Sequence, residues 1–200
     1  MDPVRAPFLT YEDVSSIAAE FLKRYDPSGQ IPVDIEAIIE FGLGLDIVPR
    51  RGLMQADEVD GYLSLDLTAI NVDEGILERQ PTRYRFTLAH ELGHHVLHGD
   101  LLQTLGIKSP TEWLTFYRTL DEADHGWFER QAYWFAGVVL VPEEHLLTEF
   151  ESAAEKMAAE GMDGDGLTEQ SRLTVAGHIA KKFWVSTVVV RKRLREVGIW

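Results

Sequence analysis

Arg85-Phe86-Thr87-Leu88-Ala89-His90-Glu91-Leu92-Gly93-His94-His95-Val96-Leu97-His98 is the stretch on which the reading of this chain turns. His90, Glu91 and His94 spell His-Glu-x-x-His, and on a helix the two histidines stand about 5–6 Å apart at Cβ on one face. Imidazole nitrogens bind Zn²⁺ at about 2.0–2.1 Å, so two of them one turn apart supply half of a tetrahedral site. Glu91 sits beside His90 around the helix, placed to take a proton from a water that the metal activates without being a ligand itself. Phe86, Leu88, Ala89, Leu92, Val96 and Leu97 cover the rest of the helix with apolar surface, and Gly93 lets another backbone approach. These features predict a buried helix that carries two ligands and a general base.

Outward from that helix, composition narrows the classes. Two hundred residues with 45% hydrophobic content can bury a substantial core. With no cysteine, neither a disulfide framework nor a thiolate zinc site is open to the chain, so any metal must sit on His, Asp or Glu. The first residues lack a basic segment followed by an apolar run, and no apolar stretch is long enough to span a bilayer, so the expectation is a soluble cytoplasmic protein without a membrane partner. The net charge of −14 argues against nonspecific nucleic-acid binding by the whole chain. That charge is uneven: Arg172 to Trp200 holds seven Lys or Arg against Glu196 alone, which leaves −20 for the rest.

Local signals give an α+β fold in which a small antiparallel sheet packs on the motif helix in a zincin-like domain. Thr10 and Asp13 form a capping pair for a helix from Tyr11 to Tyr25, and Asp34 caps a short helix through Phe41. Leu45 to Val48 reads as a strand ended by Pro49, and Gly61 to Asp66 and Thr68 to Val72 as paired strands. Pro81-Thr82 opens the motif helix and Gly99 closes it. A short helix is expected from Glu112 to Leu120, then longer ones from Gly126 to Leu140 and from Glu143 to Glu160. Gly161-Met162-Asp163-Gly164-Asp165-Gly166 is the linker candidate, dividing a catalytic domain at 1–160 from a small helical unit at 167–200. In that unit two helices, Thr168 to Lys182 and Ser186 to Val197, flank Phe183-Trp184-Val185 in the pattern of a helix-turn-helix. Trp184 stands where such a turn usually takes a small residue able to adopt positive φ. Val188 and Val189 would read base edges poorly, so direct DNA binding is the less favoured use of this unit and a protein partner suits it better.

A catalytic zinc takes three protein ligands and keeps one position open. Glu129 is the candidate third ligand, because its helix continues through Ala132, Phe135, Ala136 and Leu140 and is apolar enough to pack beside the motif helix. His98 lies roughly 12 Å along the helix from His90. His95 points away from His94. His125, four residues before Glu129, can face the site as a proton donor or transition-state stabiliser, and Asp121, Glu122 and Asp124 are acids nearby.

The blocks Ile70-Asn71-Val72, Arg85 to His94, and Glu129-x-x-Ala132-x-x-Phe135-Ala136 leading to Leu140-Val141-Pro142 resemble those of the ImmA/IrrE family of bacterial and phage metallopeptidases. Pro32 to Ile38 and Ile179-Ala180-x-x-Phe183-x-Val185-Ser186 extend the likeness over most of residues 30–198. The resemblance implies His90, His94 and Glu129 as ligands of one zinc ion per chain and Glu91 as the acid-base residue. It also implies cleavage of a helix-turn-helix repressor, with release of stress-response or mobile-element genes. Tyr133 departs from the pattern, standing where the family commonly has asparagine.

The sequence therefore predicts a cytoplasmic zinc endopeptidase acting on a repressor protein. A regulatory protein-binding or DNA-binding module with a structural or inactive metal site is the alternative from another class. A hydrolase of a non-peptide substrate is a third, since a metal site alone does not choose the bond.

Overall fold

The computed structural model describes residues 8–57, 59–105, 122–159 and 168–200. The first helix, α1 (Tyr11–Tyr25), starts where the sequence places it: Thr10 Oγ1 accepts the N–H of Asp13, and the Asp13 carboxylate accepts the N–H of Thr10. Its Val14, Ala18 and Phe21 face the core. Asp34 caps α2 (Ile35–Ala37), which widens into a π-helical turn over Ile38–Gly42. Strands β1 (Asp46–Arg50), β2 (Gly61–Leu63) and β3 (Ala69–Asp73) follow, with the short helix α3 (Leu53–Asp57) between β1 and β2. Then come α4 (Glu74–Arg79), α5 (Pro81–Leu105), α6 (Glu122–Leu140), α7 (Glu143–Ala159), α8 (Glu169–Phe183) and α9 (Thr187–Glu196).

The fold is α+β, but the sheet is mixed where an antiparallel one is expected. Its order is β1-β3-β2, with β1 parallel to β3 and β2 antiparallel to it. The excursion through α3 and β2 is long enough to return the chain in the direction of β1, which a tight hairpin cannot do. Pro49 does not end β1. Asp46 N–H donates to Thr68 O, so alternate nitrogens face β3 and that of Pro49 falls on the open side of an edge strand, where a missing donor costs little.

Gly99 does not end the motif helix either: α5 runs on to Leu105, and Leu102 from the added turns lines the cavity beside the motif. A glycine inside a helix costs only about 1 kcal/mol against alanine, which the contacts of that extension offset. The helix α4 is an element that the local sequence signals do not announce. Asp73 caps it by accepting the N–H groups of Gly75 and Ile76, and it also accepts from Met54. These donors hold its carboxyl below the usual range, Met54 foremost. The expected Glu112 to Leu120 helix and the Gly161 to Gly166 linker lie outside the described residues.

One continuous core runs from α1 through the sheet, α5 and α6 to α8 and α9. Leu88, Ala89 and Leu92 of α5 meet Phe135, Ala136, Val139 and Leu140 of α6 there. At the α5–α6 crossing Gly93 lets the two backbones close in: a Cβ on it would lie 3.0 Å from both Cα and the carbonyl oxygen of Ala132, tighter than side chains ordinarily pack. Arg193 of α9, 1% exposed, donates to Val141 O at 3.2 Å, to Glu196 at 3.2 Å and to the Tyr11 hydroxyl. Through it the last helix is tied to the first. Among the described residues no helix is long and apolar enough to cross a membrane.

Candidate metal centre

The apolar pattern of α5 turns its His90-Glu91-x-x-His94 edge toward β2 and α6, and each neighbour supplies something to it. From α6 comes Glu129. Its Oε2 lies 3.2 Å from His90 Nε2 and its Oε1 3.6 Å from His94 Nε2, while the two imidazole Nε2 atoms are 3.2 Å apart. Ligand atoms held at zinc distances in a tetrahedron are separated by roughly 3.3 Å, so this donor set converges at the spacing that a single small cation requires. His90, His94 and Glu129 are the one group of three potential ligands found to converge in this way among the described residues. Two imidazoles and one carboxylate suit Zn²⁺ and leave a fourth position open to the cavity.

From β2 comes a backbone donor. Leu63 N–H donates to Glu91 Oε2 at 3.0 Å, which turns the Glu91 carboxyl to the cavity that His90, His94 and Glu129 also line. Burial pushes Glu91 up to about 7, against the lowering effect of His90 and of the Leu63 N–H. A carboxyl held there is poised to exchange protons near neutrality. For His90, burial alone works downward, but the hydrogen bond to Glu129 and the nearby Glu91 and Glu129 charges raise it on balance.

The cavity has a volume of about 270 Å³, and its walls beside the donors are apolar: Leu63, Leu65, Leu67, Leu102 and Phe128. Its β2 wall is the outer edge of the sheet.

His98 is not among the converging ligands, yet it belongs to the centre in a way the sequence reading misses. It is fully buried, stacked on Phe128 at 3.8 Å, with Nδ1 3.1 Å from Nδ1 of His94 and Nε2 2.9 Å from Oε1 of Gln131. Burial drives it down to about 4, so the ring is neutral. The signal available was its i, i+4 relation to His94 rather than its distance from His90. Gln131 and Phe128, both buried on α6, carry no comparable signal. His95 is half-buried and lowered by that burial, and it is not one of the converging donors. The side chains of His125, Asp121, Glu122 and Asp124 lie outside the described part of the structure. Tyr133 packs on Phe86 at 4.8 Å, shares a surface hollow with Glu129 one turn before it, and carries the Lys192 ammonium over its ring at 3.8 Å.

The model of the family Peptidase_M78, described as the IrrE N-terminal-like domain, matches residues 78–195. No curated protein matches the chain. Among solved structures, a Mycobacterium tuberculosis transcriptional regulator is similar with a TM-score of 0.54 at 16% identity, over 93% of this chain and 52% of that one. The likeness at that identity is one of fold, and the present chain spans about half the length of the regulator.

Proposed function

The chain belongs to the Peptidase_M78 family of IrrE N-terminal-like domains, and on that premise we propose that it is a zinc-dependent endopeptidase with His90, His94 and Glu129 as ligands and Glu91 as general base. The observation that carries this reading is the convergence of four side chains from two helices on one cavity, three at ligand spacing and the fourth a buried acid tuned near neutrality. Zinc bound there acidifies a water and polarises a carbonyl. Glu91, held by Leu63 N–H, accepts the proton of the attacking water and delivers it to the leaving amine. The outer edge of β2 offers main-chain groups along which an extended peptide can lie, and Leu65, Leu67, Leu102 and Phe128 receive an apolar side chain of it.

In this reading the domain is zincin-like and cytoplasmic, residues 1–160 carry the catalysis, and 167–200 form a helix-turn-helix-like unit docked on it. The substrate is a helix-turn-helix repressor. Against direct DNA contact, three cations of the last two helices are already engaged: Lys182 with Glu149, Arg191 with Glu169 at 2.6 Å, and Arg193 in the core. Lys192 stands over Tyr133. A positive face of that kind has little left for phosphates.

Elemental analysis of purified wild type beside His94→Ala and Glu129→Gln tests the site. About one zinc per chain, lost or sharply reduced in both variants, is the expected result. Full zinc retention in Glu129→Gln would reject Glu129 as a ligand. Incubation of zinc-loaded protein with candidate repressors, read by mass spectrometry of the fragments, tests the activity, and phosphoesters and simple amides serve as the competing substrate classes.

A further inference from the structure

We propose that His98 and Gln131 are positioning residues that hold His94 with its proton on Nδ1 and a bare Nε2, the one tautomer able to offer Nε2 as a ligand. This rests on the reading of His94 as a metal ligand. The argument starts from the two Nδ1 atoms, 3.1 Å apart and buried. A hydrogen bond between two imidazole nitrogens needs one proton between them; two bare nitrogens, or two protonated ones, repel. Which ring supplies that proton is decided one step further back. Gln131 presents its carbonyl oxygen to His98 Nε2 at 2.9 Å, and a carbonyl can only accept. His98 therefore turns its proton to Gln131 on Nε2, its Nδ1 is left as the acceptor, and the proton between the rings belongs to His94.

Packing keeps the line in register. Phe128 stacks on His98 at 3.8 Å and on His94 at 5.3 Å, with interplanar angles of 21° and 26°. The stack fixes the plane of each ring, and the partner at each edge fixes which nitrogen faces it. Gln131 and His98 are both fully buried, so water cannot take the place of either partner. The far side of His94 agrees: its Nε2 stands with His90 Nε2 and Glu129 at the spacing of ligands to one ion, where a bare nitrogen is what such an ion needs. Outer partners of this kind orient a ligating histidine and raise its basicity.

The test uses metal-free and zinc-titrated full-length protein. Long-range ¹H–¹⁵N spectra of histidine-labelled, metal-free wild type at neutral pH are expected to show His94 protonated on Nδ1 and His98 on Nε2. His98→Phe keeps the stacked ring and removes the acceptor, and its zinc affinity, measured by chelator competition, is expected to fall about 10–100-fold. Gln131→Leu is expected to fall similarly and to populate both His94 tautomers. A spectrum with His98 protonated on Nδ1, or a folded Gln131→Leu protein with unchanged zinc affinity and unchanged tautomers, would overturn the proposal. If His98→Phe does not fold, Gln131→Leu carries the comparison. A wild type that takes up no zinc defeats the metallopeptidase reading alone, because the spectrum of the metal-free protein still judges the hydrogen-bond line.

Discussion

Leu63 donates its backbone N–H to the Glu91 carboxylate at 3.0 Å, so the edge strand of the sheet aims the acid of the long helix. Glutamine at 91 can still accept that hydrogen bond but cannot move a proton. Glu91→Gln is therefore expected to keep zinc and lose about 10²–10⁴-fold in the rate of peptide cleavage. Single-turnover cleavage beside metal analysis of the same preparation checks both halves.

The same acid makes the stability of the metal-free protein depend on pH. Burial holds Glu91 at about 7 in the folded chain against an ordinary 4.5, so between those values the folded state binds more protons than the unfolded one. Stability then falls as pH rises across that window, by up to about 3 kcal/mol from this group. Glu91→Gln removes the term. Above pH 7 the metal-free variant is expected to melt several degrees higher than wild type, and below pH 4.5 the two should coincide. Equal melting temperatures at every pH would count against a buried, ionised Glu91.

Gly93→Val places side-chain atoms where the Ala132 backbone already lies, because even a Cβ would be 3.0 Å from it. Overpacking against backbone costs about 1–3 kcal/mol. Since the same crossing holds Glu129 beside the histidines, zinc affinity should fall together with the melting temperature. Calorimetry and chelator competition on one preparation measure the pair.

Arg193→Met keeps much of the packing volume while removing the donors to Tyr11, Val141 O and Glu196. Glu196, raised by burial and held down partly by Arg193, is left without its partner. We expect a loss of about 3 kcal/mol in denaturant unfolding, with the deficit reduced in the double variant Arg193→Met/Glu196→Gln.

Trp184 closes α8 in the left-handed region at φ 53°, and its ring lies 5.0 Å from the Arg85 guanidinium. Glycine relieves about 1 kcal/mol of backbone strain and forfeits a cation–π contact of similar size. Trp184→Gly should change stability by less than about 1 kcal/mol, far below the usual cost of removing a buried indole. A larger loss in urea unfolding would show that the indole itself packs the turn.

Features set by neighbours in sequence were legible from it. Thr10 with Asp13, Asp34 and Ser186 each cap the helix their local pattern announces, and Thr168, expected as the first residue of its helix, caps it instead. The His90-Glu91-x-x-His94 face and the candidate Glu129 follow from helical periodicity plus the arithmetic of ligands. What escaped depends on tertiary partners. Whether β1 runs with or against β3 is decided by how the excursion between them packs, and whether Gly99 ends α5 is decided by what lies beyond it. Gln131 beneath His98 and the Leu63 N–H beneath Glu91 are contacts across 33 and 28 residues, invisible to any local pattern.

Because Gly93 seats directly on the Ala132 backbone, the span between His90 and Glu129 is set where two helices touch. Backbone against backbone leaves no soft side chain at that point to absorb a shift. A protein engineer wishing to widen or narrow the triangle of donors would therefore begin at this seat, altering the spacing of the helices before any of the donors themselves.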